Sequence, residues 1–277
     1  MYINLNDKEV EILRSEEYGK KILFSYRGKK YYFKVSKSLD SIYNELIACK
    51  IAKKMNVPCC EYYPAEHNGF VGVASEYYED KKAITMEEYL KSKFGSNIHI
   101  HNNLTELTAC FYTDFSEEVA LRLTTELTNI FIFDAIIGNS DRNSTNYMII
   151  IDGENTRLAP VFDNENMLDD HAIYDGDYSL GVDERDYTDG DKFNVLYKFL
   201  DRADDETFNR FVAALRLISN DSITEIFDEI SKDTIVVEPI KEKIVRKMAM
   251  NKKMIDNYLN SNRRKTYKQK SIKVCYN

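Results

Sequence analysis

A segment rich in apolar residues, Val119 to Ile137, leads without a break into Gly138-Asn139-Ser140-Asp141-Arg142-Asn143-Ser144-Thr145-Asn146, and this junction constrains the chain more than any other feature. A helix of that length that is apolar almost all round has to be buried at the centre of a domain. Ser116-Glu117-Glu118 in front of it has the composition of a helix N-terminus. Behind the polar loop, Tyr147 to Asp152 is apolar or β-branched, Gly153-Glu154-Asn155 supplies turn residues, and Thr156 to Phe162 runs back before Asp163. A hairpin there brings Asn146 and Asp163 together at its open end. The local order is therefore buried helix, polar loop, hairpin and acid.

The residue types in that order suit phosphoryl transfer. An Asp followed five residues later by an Asn, then strand, turn, strand and a second Asp, is how protein kinases present a catalytic base and two magnesium ligands. The Asp141 carboxylate can accept the proton of an attacking hydroxyl. The Asn146 amide oxygen and the Asp163 carboxylate are hard donors of the kind Mg²⁺ takes when phosphates complete its shell. A lone D-x-x-x-x-N would read as a solvated connection, and it is the hairpin and the second Asp that lift it above that.

Composition bounds the class. The chain has 277 residues, 43% hydrophobic and 30% charged, enough for one large domain or two modest lobes. A net charge of -8 disfavours nucleic acid and anionic membranes as partners of the chain as a whole. The five cysteines show neither C-x-x-C spacing nor His partners at zinc distances, so they read as reduced structural thiols. The first residues lack a signal peptide, and no run approaches the ~18 apolar residues of a membrane span. A reducing cytoplasm is the expected location, with unconventional export or delivery into a host left open.

The pattern changes near residue 80, which predicts an N-lobe over 1–79 and a C-lobe over 80–277. In the first part, Glu9 to Leu13, Lys21 to Tyr26, Lys30 to Val35, Cys60 to Ala65 and Phe70 to Glu76 are strand-like, and Leu39 to Met55 is a helix with Tyr43, Leu46, Ile47, Lys50 and Ile51 on one side. Five strands around one helix make a small lobe. In the second part, Phe208, Phe211, Val212 and Leu215 recur at helical spacing, as do Ile223, Ile226, Phe227 and Ile230, and then Ile240, Ile244, Met248, Ile255 and Tyr258. Between Asp169 and Asp191 stand nine carboxylates and one Arg, a solvated acidic loop or a docking segment. From about residue 261 a basic tail carries Arg263, Arg264, Lys265, Lys268, Lys270 and Lys273, most simply a frayed basic terminus and alternatively a dock for a nucleic acid, a partner or the acidic loop.

The N-lobe also holds residues suited to a nucleotide. Lys34 lies in the strand Tyr31-Tyr32-Phe33-Lys34-Val35, and Glu45 follows eleven residues later on the helix. A strand Lys paired with a Glu on the following helix fixes the cation that grips α- and β-phosphates in kinases. A phosphate-covering loop is expected at Arg14 to Lys21, where Ser15 and the single Gly19 are the relevant residues, although Glu16 and Glu17 oppose phosphate. Glu76 and Tyr77 begin the connection between lobes, where backbone groups can meet adenine.

With Lys34, the Tyr43-to-Cys49 helix, the Phe133-to-Asp141 approach and Leu158-Ala159-Pro160-Val161-Phe162-Asp163 in view, the chain resembles the HipA-like Ser/Thr kinases, in layout most of all their compact CtkA-type branch. Asp-Arg-Asn-x-x-Asn is also similar to the signature of phosphatidylinositol 3- and 4-kinases. The resemblance implies an α+β, bilobal protein-kinase-like fold with a β-rich N-lobe and a mainly helical C-lobe. It implies ATP and Mg²⁺ as cofactors, Asp141 as base, Asn146 and Asp163 as metal ligands, Lys34 as phosphate-gripping cation and Glu45 as its partner. It further implies a protein substrate, the chain itself included, with Ser15 nearest to the autophosphorylated loop serine of HipA. Asn143 stands where the family has His, and the N-terminal extension that helps HipA contact its antitoxin is missing, so an antitoxin-type partner is not indicated. Two other readings stay open: a lipid or small-molecule kinase, and a nucleotide-binding pseudokinase.

Overall fold

The computed structural model describes residues 1–77, 82–95, 104–139, 142–167, 209, 212–213, 218–230 and 238–260. The expected lobe boundary, Asp141, the acidic stretch 169–191, the basic tail and most of the 208–215 helix lie outside these residues.

Strands β1 (Ile3–Asn4), β2 (Val10–Glu16), β3 (Lys21–Tyr26), β4 (Lys29–Val35), β5 (Tyr62–His67) and β6 (Phe70–Glu76) form one sheet in the order β1-β5-β6-β4-β3-β2. All neighbours are antiparallel except β1 and β5, which run parallel. The sheet has one strand more than the sequence suggests, because the two-residue β1 is too short to show a period of two. One face buries Ile3, Ile22, Phe24, Tyr31, Phe33, Ala65 and Ala74 in a core of its own.

Helix α1 (Leu39–Lys54) starts at Ser38, whose Oγ accepts the Ser41 N–H at 3.2 Å. It is buried on more sides than one stripe predicts: Ile42 to Cys49 are all enclosed, Asn44 and Glu45 included. The reason is a second packing partner. Helix α5 (Asn220–Ile230) lies against it, with the Tyr43 and Phe227 rings 6.2 Å apart. Through these contacts α1 shares the larger core with α2 (Met86–Phe94), α3 (Leu104–Asp114), α4 (Glu117–Ile137) and α6 (Glu238–Asn260).

In α4, residues Ile130 to Phe133, Ile136 and Ile137 are all buried, but Leu121 is 58% exposed, so the helix is enclosed on all sides only in its second half and not over the whole stretch expected. Ser116 occupies its N-cap position, but the Ser116 hydroxyl donates to Glu154 Oε2 at 3.0 Å instead of accepting from the helix. Gly138 ends α4 in the left-handed region at φ 64°, where a side chain would be strained, and sends its N–H back to Asp134 O.

The hairpin is shorter than expected. Strand β8 (Met148–Ile150) pairs with β7 (Ala83–Thr85) on one side and with β9 (Arg157–Leu158) on the other. Pro160 has no N–H to continue that ladder, and Val161 instead joins the connector before β5: its N–H donates to Pro58 O at 2.8 Å and its carbonyl accepts from Cys60 N at 2.9 Å. Asp163 is thus carried to the sheet by a bridge between sequence halves. No helix among the described residues is long and apolar enough to cross a membrane.

Candidate active site

Lys34 projects from β4, where β6 approaches so closely that a Cβ on Gly72 would stand 2.1 Å from Lys34 O. Only glycine permits that approach. The Lys34 ammonium donates to Asp163 Oδ1 at 2.8 Å and lies 3.2 Å from Glu165 Oε2. Burial works against its charge, but the Asp163 and Glu165 carboxylates outweigh that and hold the ammonium above the usual lysine pKa.

The expected Lys34–Glu45 ion pair is not formed. Glu45 is 2% exposed, and its Oε2 accepts the Asn164 N–H at 2.8 Å and the Asn164 side-chain amide at 3.4 Å. Burial pushes the Glu45 carboxyl up to about 8, against the opposing pull of the Asn164 backbone bond. Next to it, Asn44 donates to Glu165 O at 2.8 Å and to Met167 O at 2.9 Å. The Asn44-Glu45 pair therefore clamps the segment after Asp163, and Lys34 is left to carboxylates from that segment. Glu165 went unnoticed in the sequence because a carboxylate two residues past a metal-type Asp has no periodic or motif signal.

The polar loop is organised by Arg142, a second residue that the sequence did not single out. Its guanidinium is fully enclosed and donates from Nε and Nη2 to the two Asp134 oxygens, each at 3.0 Å. Asn139 adds a bond to Asp134 Oδ1 at 3.1 Å. A further nitrogen, Nη1, donates both to Asn146 O at 2.8 Å and to Phe162 O at 2.5 Å, and Nη2 also reaches Asn164 Oδ1. One guanidinium nitrogen thus spans the two segments that carry Asn146 and Asp163. A signal did exist: Asp134 in an apolar buried helix demands a cationic or hydrogen-bonding partner.

Asn146 is buried, its N–H donates to Asn143 O at 2.9 Å, and its Oδ1 accepts from the Thr145 hydroxyl at 3.3 Å. Asn143 closes a local turn, accepting the Thr145 N–H at 2.9 Å. Asp163 sits at φ 57° and donates its N–H to Tyr62 Oη at 2.9 Å. A non-glycine residue in that region needs external support, which Tyr62, Arg142 and the Glu45–Asn164 bond supply.

The remaining expected residues lie around this centre. Ser15 is exposed within β2, paired with Ile22, and not in the loop proper. The loop is the turn Glu17–Gly19, with φ of 50°, 58° and 86° at Glu17, Tyr18 and Gly19. The acids expected to oppose phosphate are partnered: Glu17 of the turn by Lys21 at 2.6 Å, and Glu16, the last residue of β2, by Arg14 at 2.9 Å. The N–H groups of Glu76 and Tyr77 donate to Glu61 O and Lys30 O, so neither is available as a donor to adenine. The Glu76 carboxylate is taken by Lys29 at 2.6 Å.

The donor set fits a magnesium ion. Asp163 and Asn146 offer one carboxylate and one amide oxygen, and the Lys34 ammonium on Asp163 Oδ1 shows that this oxygen lies where a cation can reach it. No cluster of three or more His, Cys, Asp or Glu suited to a metal occurs among the described residues, so nothing there suits a zinc site.

No protein-family model matches the sequence, and no curated protein does. Solved structures do match the fold. The proinflammatory kinase CtkA of Helicobacter pylori superposes with a TM-score of 0.69 at 16% identity, over 92% of this chain and 95% of that one. HipA of Shewanella oneidensis MR-1, solved with HipB and operator DNA, superposes with a TM-score of 0.55 at 12% identity over 92% of this chain, which spans 65% of HipA. The chain has the kinase-like α+β fold of these two proteins.

Proposed function

We propose that this chain is an ATP- and Mg²⁺-dependent phosphotransferase of the HipA-like kind that phosphorylates Ser or Thr hydroxyls of proteins, its own included. The observation that carries the reading is the Lys34–Asp163 contact at 2.8 Å, made between the sheet and the segment behind the hairpin in a fold shared with a kinase. In this reading Lys34 holds the α- and β-phosphates, and Asn146 and Asp163 are the residues that hold the metal. The bound metal supplies charge neutralisation on the phosphates. Arg142 keeps Asn146 and Asp163 in register through the Asn146 carbonyl and the Phe162 carbonyl just before Asp163, so that little reorganisation is needed when substrate arrives. Asp141, placed by its spacing from Asn146, accepts the hydroxyl proton.

Incubation with γ-labelled ATP and Mg²⁺, followed by mass-spectrometric mapping, tests this directly. Label is expected on the chain itself or on generic protein acceptors, and Asp141→Asn or Asp163→Asn is expected to abolish it. Absence of transfer together with absence of Mg·ATP binding by calorimetry would overturn the proposal.

A further inference from the structure

We infer that Glu165 is the positioning residue for Lys34, in the role that the sequence would give to Glu45. The inference rests on the kinase reading above. Three observations lead to it. Glu45 spends its Oε2 on Asn164 and makes no ion pair with Lys34. Lys34 has two carboxylates within ion-pair distance, Asp163 at 2.8 Å and Glu165 at 3.2 Å. Of these, Asp163 is the one that a metal would claim, which leaves Glu165 as the counter-charge that stays with the lysine.

Glu165 is built to stay. Its side chain is 9% exposed, its Oε1 accepts from Lys37 at 2.8 Å while Oε2 faces Lys34, and its carbonyl is pinned by Asn44 at 2.8 Å. Lys37 is 76% exposed, so that outer pair is screened and adds little by itself. The inner pair is half-buried, where a charge-assisted contact is stronger and its geometry is held. An ammonium beside a divalent cation and a phosphate tail needs a fixed counter-charge to keep its direction, and Glu165 supplies it from the same segment that carries Asp163. The departure from a helix-borne partner follows from the burial of Glu45.

Two measurements on the full chain test the inference. The first needs neither nucleotide nor metal: the rate at which an amine-selective acylating reagent modifies Lys34, read by mass spectrometry, in Asp163→Asn and in Asp163→Asn/Glu165→Gln. Loss of Glu165 is expected to speed modification several-fold, since nothing then holds the ammonium. Equal rates would overturn the inference whatever the protein binds. The second is the steady-state split in the kinase assay: Glu165→Gln is expected to raise KM for ATP roughly tenfold with a much smaller fall in kcat, and Glu165→Asp to recover part of it. An unchanged KM, or equal losses in both variants with a lowered melting temperature, would mark a structural salt bridge and overturn it. If the modification rates differ but the wild type neither binds nor turns over ATP, the kinase reading fails, and the inferred purpose of the pair fails with it.

Discussion

Arg142 and Asp134 form a two-pronged ion pair in which both side chains are 0% exposed, and this pair joins the end of the central helix to the loop that follows it. Burial raises the Asp134 pKa and the Arg142 guanidinium opposes that rise, so each charge depends on the other. Arg142→Met is expected to destabilise the fold by about 3–5 kcal/mol, because it strands Asp134 in the core. Asp134→Leu combined with Arg142→Met is expected to recover much of that stability in a denaturant titration. On the proposed function it should still abolish phosphoryl transfer, since Asn146 O and Phe162 O lose their common donor.

Gly72→Ala is expected to be costly out of proportion to one methyl group. The new Cβ would meet Lys34 O at 2.1 Å, and backbone cannot move aside as a flexible side chain would. A loss of about 1–3 kcal/mol is expected, measured as a drop in melting temperature, together, on the proposed function, with a raised KM for ATP as β4 shifts Lys34.

Glu45 gives stability a pH dependence of defined sign. Its folded pKa, about 8, lies above the ordinary carboxyl value of 4.5, with burial as the main cause, Asp163 adding to it and Lys34 and Arg142 opposing. Between those values the folded state keeps a proton that the unfolded chain releases. The contribution is therefore full below about pH 4.5 and is lost as pH climbs through about 8. Urea titrations from pH 5 to 8.5 are expected to show this falling limb, and Glu45→Gln, which keeps an acceptor for Asn164, should flatten it.

Tyr62→Phe removes the acceptor of the Asp163 N–H, which is held at positive φ. The expected stability cost is about 1–3 kcal/mol, the price of a buried donor left unpaired. On the proposed function, transfer rate should fall more than ATP affinity, because the change removes the support of the Asp163 backbone while Lys34 keeps its contact with Glu165. Comparison of kcat with calorimetric ATP affinity checks the separation.

The sequence carried the elements well where packing is periodic. The apolar-rich stretch 119–137 and the 223–230 stripe are helices, and the strands at 21–26, 29–35 and 70–76 agree with the apolar and aromatic runs there. The second hairpin strand was overextended because Pro160 breaks the ladder and Val161 turns to Pro58 and Cys60, a partner more than 100 residues away in sequence that no local window can see. That Lys34 stands on a strand and Asp163 just behind the hairpin could be read from the sequence, whereas the contacts of Glu165 and Arg142 could not.

Spacing of apolar side chains and turn residues by itself determined which segments are helix or strand and the order in which a lysine, an amide and two acids follow along the chain. Such patterns are local, since each depends on burial of one face within a few residues. Tertiary structure alone decided who pairs with whom: Glu45 with Asn164, Arg142 with Asp134, and Lys34 with Asp163 across 129 positions. Those choices turn on which charged group is desolvated and which partner then lies within about 3 Å, and a desolvated charge tolerates no vacancy.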